Sequence, residues 1–149
     1  MHIATNLSKF FDVVRKVISE WEGSTNEYID PWFRGQHNAD QELIPSLYRY
    51  GDEIDEDDFR DEFAFKAFPY LHQMRAQDPW EMYALMQHYG LPTRLLDWSE
   101  AALVALYFAV SADSPSNDAG VWMLNPWSFN KATLNTRWIL DTSYKVVRR

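Results

Sequence analysis

A chain of 149 residues, 46% of them hydrophobic, has enough apolar material for one domain of ordinary size with a single core. Its formal net charge of −8 excludes broad electrostatic binding to nucleic acid or to anionic membranes, although it allows a local basic pocket. The lack of cysteine excludes disulfides, thiolate metal sites and cysteine nucleophiles. Neither a signal peptide nor an apolar run of about 20 residues is visible, so we expect a cytoplasmic protein without membrane contact.

The N-terminal segment has the pattern of an amphipathic helix. Its apolar residues recur at intervals of three and four, which places their side chains on one helix face. We expect Thr5 or Asn6 to cap this helix and Gly23 to end it. The apolar face consists of Leu7, Phe10, Phe11, Val14, Val17, Ile18 and Trp21.

Extended and helical signals alternate after this helix. Residues 28–35 predict a short strand that Pro31 interrupts early, and residues 43–48 are compatible with extended chain. An acidic run over residues 52–58 predicts a solvated turn that leads into a helix N-terminus, where negative charge is favourable. We expect Pro69 to end or kink that helix.

The second half of the chain contains two further predicted helices. Asp78 and Pro79 form a helix start, and we expect Gly90 to end that helix in the left-handed conformation. Ser99 is expected to cap a helix that runs from residue 100 to about residue 111. Because this last helix is nearly all apolar, it is predicted to be buried on most sides.

Short strands complete the predicted elements. Residues 120–124 predict an interior strand, and residues 138–140 also allow one. Several helices with few, scattered strands are typical of the α+β class. The expected fold is therefore a single domain over residues 1–149, with several helices packed on a small mixed or antiparallel sheet.

The first polar cluster centres on Arg34, which follows two aromatic residues and precedes Gly35. The planar guanidinium of arginine suits phosphate or carboxylate, and glycine lets a ligand or another backbone come close. The same residues also fit a structural role, with the guanidinium stacked on Trp32 and paired with a carboxylate. The residue pattern leaves both interpretations open.

The second polar cluster surrounds a Gly-Leu-Pro turn just before the most apolar segment. Burying an unpaired charge is costly, so these groups either pair or line a pocket for a charged ligand. His88 is either a ligand-binding group or a partner of the helix dipole. Arg94 and Asp97 lie three residues apart in extended chain and point to opposite faces, so we expect Arg94 to face a cleft and Asp97 to be structural.

No metal site and no glycine-rich phosphate loop are predicted. The four histidines lack HxxxH and HxH spacing, and no paired acids stand beside them. The five glycines form no GxGxxG, P-loop or GxSxG motif. Arginine side chains would therefore have to bind any anion.

The two clusters together resemble the FRG domain family, which is named for a Phe-Arg-Gly motif. FRGQ stands at residues 33–36. The longer and more specific match is QHYGLPTRLLDWS at residues 87–99, followed by LVALYFA at residues 103–109. The resemblance covers about residues 28–124 and leaves residues 125–149 as a divergent or truncated tail.

This resemblance implies a bacterial or phage origin and a role in conflict between phage and host. The order of elements is also similar to that of ADP-ribosyltransferases, in which an early arginine binds the pyrophosphate of NAD. That similarity implies that Arg34 binds the pyrophosphate and that His88 or Thr93 contacts the nicotinamide ribose. Tyr89 or Trp98 would stack on the nicotinamide ring. The full set implied to bind a nucleotide is Arg34, Gly35, Gln36, His88, Tyr89, Thr93, Arg94 and Trp98.

The similarity leaves catalysis open. ADP-ribosyltransferases need a late Glu or Gln, and FRG domains commonly carry a late segment similar to R-I-x-x-Q-x-G-x-F. The tail offers only Asp141 and Asn135. The sequence therefore favours a module that binds a nucleotide or another anionic small molecule, with NAD as a candidate substrate and His88 and Arg94 as candidate catalytic residues. The alternative is a non-catalytic inhibitor or sensor that docks a protein partner.

Overall fold

The computed structural model describes residues 1–25, 28–50, 55–70, 79–111 and 117–140. Within these residues, five α-helices and a two-stranded antiparallel sheet form an α+β fold, as the sequence predicts. The helices are α1 (Leu7–Thr25), α2 (Glu56–Ala67), α3 (Pro79–His88), α4 (Ala102–Val110) and α5 (Pro126–Leu134), and the strands are β1 (Trp32–Gln36) and β2 (Gly120–Leu124).

The chain divides into two compact units. The first contains the described residues of Met1–Gln41 and Trp98–Tyr144, with α1, both strands, α4 and α5. The second contains the described residues of Glu42–Asp97, with α2, α3 and 3-10 turns at Leu47–Arg49 and Phe68–Tyr70. The single domain expected from the sequence stays a prediction.

Helix α1 supplies one side of the core of the first unit. Phe10 and Val14 are buried together with Phe33 of β1 and Ala105 of α4. Phe11 and several other half-buried apolar residues pack against this cluster. The predicted amphipathic face of α1 is therefore the face that the core uses.

The two ends of α1 differ in how well the sequence predicts them. Asn6 accepts a hydrogen bond from the Lys9 amide at 2.9 Å, which fits the expected cap. The expected end at Gly23 is wrong, because the helix continues to Thr25. The hydroxyls of Ser24 and Thr25 donate to the Trp21 carbonyl at 2.7 and 3.0 Å in the last turn.

Strand β1 has pairing partners on both of its edges. One edge pairs with β2, with Arg34 opposite Trp122. On the other edge Phe33 and Ser99 exchange backbone hydrogen bonds of 2.7 and 2.8 Å. This bridge holds Ser99 extended, so α4 begins at Ala102 with Ala101 as its N-cap. The expectation that Ser99 caps a helix starting at residue 100 is therefore wrong, although its hydroxyl accepts from the Ala101 amide at 3.1 Å.

Helix α4 is much less buried than its composition predicts. Only Ala105 and Ala109 are fully buried, with Ala102 and Leu106 half-buried beside them. This narrow stripe has the three- and four-residue spacing of one helix face. The prediction of burial on most sides is wrong, because the other apolar side chains, Leu103, Val104, Tyr107, Phe108 and Val110, are exposed.

Three strand expectations also differ from the structure. Within the described part of the chain β2 pairs with β1 alone, so it is an edge strand rather than an interior one. Residues 43–48 lead into a 3-10 turn rather than a strand, and residues 138–140 are irregular. Neither of these last two segments finds a ladder partner in the described part of the chain, and apolar character alone does not supply one.

The second unit follows the predicted end signals closely. The Asp55 carboxylate caps α2 by accepting from the Asp57 amide at 2.9 Å, so the acidic run does lead into a helix N-terminus. Helix α3 ends at His88, and Gly90 follows with a φ of +79°, the left-handed conformation expected of it. The Gly90 and Leu91 amides donate back to carbonyls of the last turn at 2.9 and 3.0 Å, which is a Schellman motif. The expected cap Asp78 lies outside the described residues.

Strand β1 and helix α4 approach so closely that residue 35 has no room for a side chain. A Cβ atom built on Gly35 would meet the Ala105 carbonyl and stand 2.7 Å from the Ala109 amide nitrogen. Both of these atoms belong to the backbone of α4, so neither can move aside by changing a rotamer. The sequence allows Gly35 to admit either a ligand or another backbone. In the structure it admits the backbone of α4.

We predict that Gly35→Ala lowers the free energy of unfolding by about 3 kcal/mol, the upper part of the range for overpacked sites. Gly23→Ala is the matched control, because nothing lies within 4 Å of a Cβ at this helical glycine. The control should raise stability by about 0.5–1 kcal/mol, as alanine favours helix. Urea denaturation of both variants measures the difference. Equal stabilities of the two variants would contradict the close packing described here.

Candidate functional site

Strand alternation places Arg34 on the sheet face that points away from α4. Gly35 faces α4, so its neighbours Arg34 and Gln36 face the opposite side. The register adds the Trp122 indole of β2 to this second face, directly across from Arg34. Trp32 lies on the same face, two residues before Arg34. We call these four residues, Trp32, Arg34, Gln36 and Trp122, the Arg34 face.

A hydrogen bond fixes one end of the Arg34 face. Gln36 is 6% exposed, and its side-chain carbonyl accepts a hydrogen bond from the Trp122 indole N–H. A buried amide needs such a partner, because an unsatisfied polar group in the interior is costly. Gln36 therefore holds the Trp122 ring beside Arg34, and Trp122 itself is 38% exposed.

Arg34 is half-buried, and its Nε atom is completely covered. The side chain also takes part in an interaction of its own. Arg34 stands across the ladder from Trp122, and a guanidinium beside an indole can stack on the ring while its edge meets an anion. The arrangement suits recognition of an anion attached to a planar ring.

In the second unit, the main feature around Arg94 is its pair with Glu56. Glu56 is 5% exposed at the start of α2 and accepts hydrogen bonds from both the backbone amide of Arg94, at 3.0 Å, and its Nε. The Arg94 guanidinium carbon also lies 5.7 Å from the centre of the Tyr83 ring. The pair satisfies a carboxylate that would otherwise be buried without a partner.

The pKa of Arg94 reflects the same pair. Burial disfavours its charged form, but the hydrogen bond and the negative charge of Glu56 outweigh burial and raise the pKa above its ordinary value. The Arg94 side chain nevertheless remains 44% exposed. Arg94 is therefore charged and partly accessible, with much of its charge balanced locally.

Three polar side chains of the QHYGLPTRLLDW segment bind one another across the turn. The Thr93 hydroxyl donates to the Gln87 side-chain carbonyl at 2.9 Å, and the Gln87 amide donates to the Asp97 carboxylate. Thr93 is completely buried, and its backbone amide donates to the Ser46 hydroxyl at 3.2 Å. The network joins the end of α3 to the segment that follows the turn, and Asp97 has the structural contact expected of it.

The remaining predicted binding residues are spread over both units. His88 and Tyr89 are exposed at the end of α3, with ring centres 5.3 Å apart in an edge-to-face arrangement. Trp98 is half-buried and belongs to the first unit. Arg34, Gly35, Gln36 and Trp98 thus lie in the first unit, and His88, Tyr89, Thr93 and Arg94 lie in the second.

The sequence interpretation gave no role to Glu56. A signal for it was present, because Glu56 precedes Phe59 by three residues and Phe63 by seven, which places all three on one face of α2. A carboxylate on an apolar helix face needs a cation, and Arg94 is that cation. The Gln36–Trp122 bond had no such signal, since it joins strands 86 residues apart.

The late residues considered for catalysis are Asn135 and Asp141. Asn135 ends α5 in the left-handed conformation, with φ of 53°, and accepts a hydrogen bond from Lys131 at 3.1 Å. Asp141 lies outside the described residues. In the portion described, no three His, Asp or Glu side chains cluster closely enough to hold a metal ion. None of the helices described there has the length and apolar character needed to cross a bilayer.

We predict that Glu56→Gln lowers the free energy of unfolding by about 2 kcal/mol. The substitution removes a buried charge that pairs with Arg94, and the loss is smaller than for a fully buried pair because Arg94 is partly solvated. Asp58→Asn, at an exposed position two residues later on α2, is the matched control and should change stability by less than about 0.5 kcal/mol. Chemical denaturation distinguishes them, and a neutral Glu56→Gln would rule out a stabilising pair.

Comparison with known proteins identifies the family. A search of curated proteins and a search of solved structures each returned no match. The family model of the FRG domain matches residues 30–118, which is more than half of the chain and includes both the Phe-Arg-Gly motif and the QHYGLPTRLLDW segment. The chain therefore belongs to the FRG domain family.

Proposed function

We propose that this protein binds a nucleotide such as NAD, with Arg34 as the group that holds the phosphates. The observation that carries the proposal is the Arg34 face, where Arg34 stands directly across the ladder from a partly exposed indole. A nucleotide combines an anion with a planar ring, and these two side chains are complementary to those two parts.

Arg34 and Arg94 lie in different units, and the proposal concerns Arg34 alone. Arg94 shares its charge with the buried carboxylate of Glu56, which weakens its attraction for a second anion. The binding roles of Arg94, His88 and Tyr89, all in the second unit, stay predictions from the sequence. Thr93 is completely buried and bonded to Gln87, so the proposal gives it the role of supporting the turn.

The proposal concerns nucleotide binding, and a reaction of the bound nucleotide is a second question. The similarity to ADP-ribosyltransferases makes NAD cleavage or ADP-ribosyl transfer in phage–host conflict the activity to test once binding is established. Release of nicotinamide from NAD by the wild-type protein, followed by chromatography, tests it directly. His88→Ala is the first variant to compare, because His88 is exposed and the sequence makes it a candidate catalytic residue.

The first experiment is a thermal titration with NAD, ADP-ribose and ATP. A ligand that binds only the folded protein stabilises it by about 2.7 kcal/mol at a hundredfold excess over its dissociation constant. For a chain of this size we expect the melting temperature to rise by about 5–10 °C. Absence of a shift with all three nucleotides, for a protein that melts cooperatively, would overturn the proposal.

Variants assign the effect to Arg34. Arg34→Lys keeps the charge but loses the planar fork, so the nucleotide shift should fall markedly while the ligand-free melting temperature changes little. Arg15→Ala is the control, because Arg15 is a cation of the same unit, 74% exposed on α1 and paired with Asp12. A shift that persists unchanged in Arg34→Lys and Arg34→Ala would place the nucleotide elsewhere.

One observation favours a second candidate function, the docking of a protein partner. The exposed side of α4 carries large apolar side chains, with Tyr107 65% and Phe108 57% exposed. Contiguous exposed apolar surface commonly marks an interaction site. If no nucleotide binds, this surface becomes the leading candidate, and Phe108→Asp is the variant that should abolish docking without lowering the melting temperature.

A further inference from the structure

A cavity of about 340 Å³ lies beside α5 in the first unit. Its volume is at the lower end of the range for ligand sites. None of its lining residues belongs to the Arg34 face, and four of the six follow residue 118, beyond the segment that the FRG family model matches. The lining residues are Tyr28, Ile29, Asn125, Trp127, Arg137 and Trp138.

Three aromatic rings form much of this lining, and the two most exposed rings are attached to backbone that is held in place. Tyr28 is 80% exposed and Trp138 is 77% exposed, so the fold buries neither ring. Ile29, next to Tyr28, is 4% exposed. The Trp138 carbonyl accepts a hydrogen bond from the Asn130 side-chain amide at 2.8 Å, which ties it to α5. Rings on an anchored backbone lose less conformational freedom when a ligand stacks on them.

Charged groups of both signs stand at the cavity. Arg137 belongs to the lining and already takes part in an interaction of its own. The Asp30 carboxylate accepts a hydrogen bond from the Tyr28 hydroxyl, and this bond and the negative charge of Asp30 raise the pKa of Tyr28 above its ordinary value. The Tyr28 ring is therefore a neutral phenol beside a carboxylate. Charge favours neither an anion nor a cation here, so a ligand without net charge fits the lining best.

The hydrogen-bonding groups that the lining offers are mainly donors. The Asn125 side-chain carbonyl is already used, because it accepts from the Ser128 amide at 3.0 Å and caps α5. The amide nitrogen is consequently the group that Asn125 can offer to a ligand, and it donates. The indole nitrogens of Trp127 and Trp138 are donors only. The lining therefore suits a ligand that is rich in acceptors.

A proline-rich peptide segment combines these properties. Proline has no backbone N–H, so such a segment presents carbonyl acceptors without donors and carries no net charge. In the polyproline II conformation the carbonyls make no internal hydrogen bonds, and the proline rings dock on aromatic side chains. Proline also fixes this conformation before binding, which lowers the entropy cost of association. A sugar, by contrast, brings a donor with every hydroxyl group.

We propose that this cavity binds a proline-rich segment of a partner protein in the polyproline II conformation. The proline rings stack on Tyr28, Trp127 and Trp138, and the Asn125 amide donates to a carbonyl of the segment. The site is separate from the Arg34 face and from the exposed side of α4. It is independent of the functions proposed for those two surfaces.

Binding titrations with short probes test the proposal. Acetylated hexaproline amide is the main probe, and a hexamer of alternating glycine and serine supplies carbonyls without rings. Maltotriose, phenylacetate and tetramethylammonium test for a sugar, an aromatic anion and a cation. Indole N–H signals in NMR spectra follow the binding, and Trp138→Phe identifies the signal of Trp138. We expect hexaproline to shift that signal and to bind roughly tenfold more tightly than each other probe, because its rigid chain loses less freedom.

Three variants assign the binding to the cavity. Asn125→Asp keeps an oxygen that caps α5 but replaces the donating amide with a carboxylate. It should lower the affinity for hexaproline about fivefold, the effect of one hydrogen bond, with little change in melting temperature. Trp138→Leu removes an exposed ring and should also weaken binding. Arg137→Gln should leave the preference for hexaproline in place, since the proposed contacts do not use this charge, and Arg15→Gln is the control in the same unit.

Several outcomes contradict the proposed site. Equal affinities for hexaproline and the glycine–serine hexamer would overturn the proposal, as would tighter binding of the sugar, the anion or the cation. An unchanged Trp138 signal in the wild-type protein would do the same without reference to any variant. Hexaproline binding that survives both Asn125→Asp and Trp138→Leu would place the peptide elsewhere.

Discussion

The close contact between β1 and α4 sets the geometry of the first unit. Because Gly35 has no side chain, the backbone of α4 rests against the strand at Ala105 and Ala109. This contact commits one face of β1 to the core and turns the neighbouring residues, Arg34 and Gln36, to the other face. The Phe-Arg-Gly motif thus has a residue that packs on the α4 side before and after an arginine that faces the other side of the sheet.

The second unit depends on polar contacts to a greater degree. Glu56 and Arg94 join α2 to the segment after the turn, and Gln87, Thr93 and Asp97 join that segment to the end of α3. Glu56 and Thr93 are buried, whereas Arg94 and Asp97 are exposed, so the contacts run from the interior to the surface. Much of the most distinctive sequence segment therefore serves to hold a turn, and His88 and Tyr89 lie exposed beside it.

The overall charge bears on how an anion would be bound at the Arg34 face. The chain is acidic, with a net charge of −8, so long-range attraction does not guide anions to it. The binding proposed there therefore depends on short-range contacts, with Arg34 and the indole of Trp122 opposite each other in the ladder.

Local signals in the sequence determined much of the fold. The face of α1, the Asp55 cap of α2, the left-handed Gly90 and the β2 segment all follow from periodicity or from the conformational preference of single residues, which act within a few neighbours. The specific motifs likewise identified the family. These features can be predicted without knowing what each segment packs against.

The tertiary structure decided which side chains are buried by packing and which remain exposed to solvent. The apolar composition of α4 predicted burial, yet the sheet contacts only its alanine stripe, because Gly35 brings the two backbones close and leaves larger residues outside. Ser99 forms a β-bridge with Phe33, and Glu56 pairs with Arg94, which follows it by 38 residues. Such contacts join residues that are distant in sequence, and local periodicity carries no information about them. The Arg34 face is therefore visible only in the folded chain.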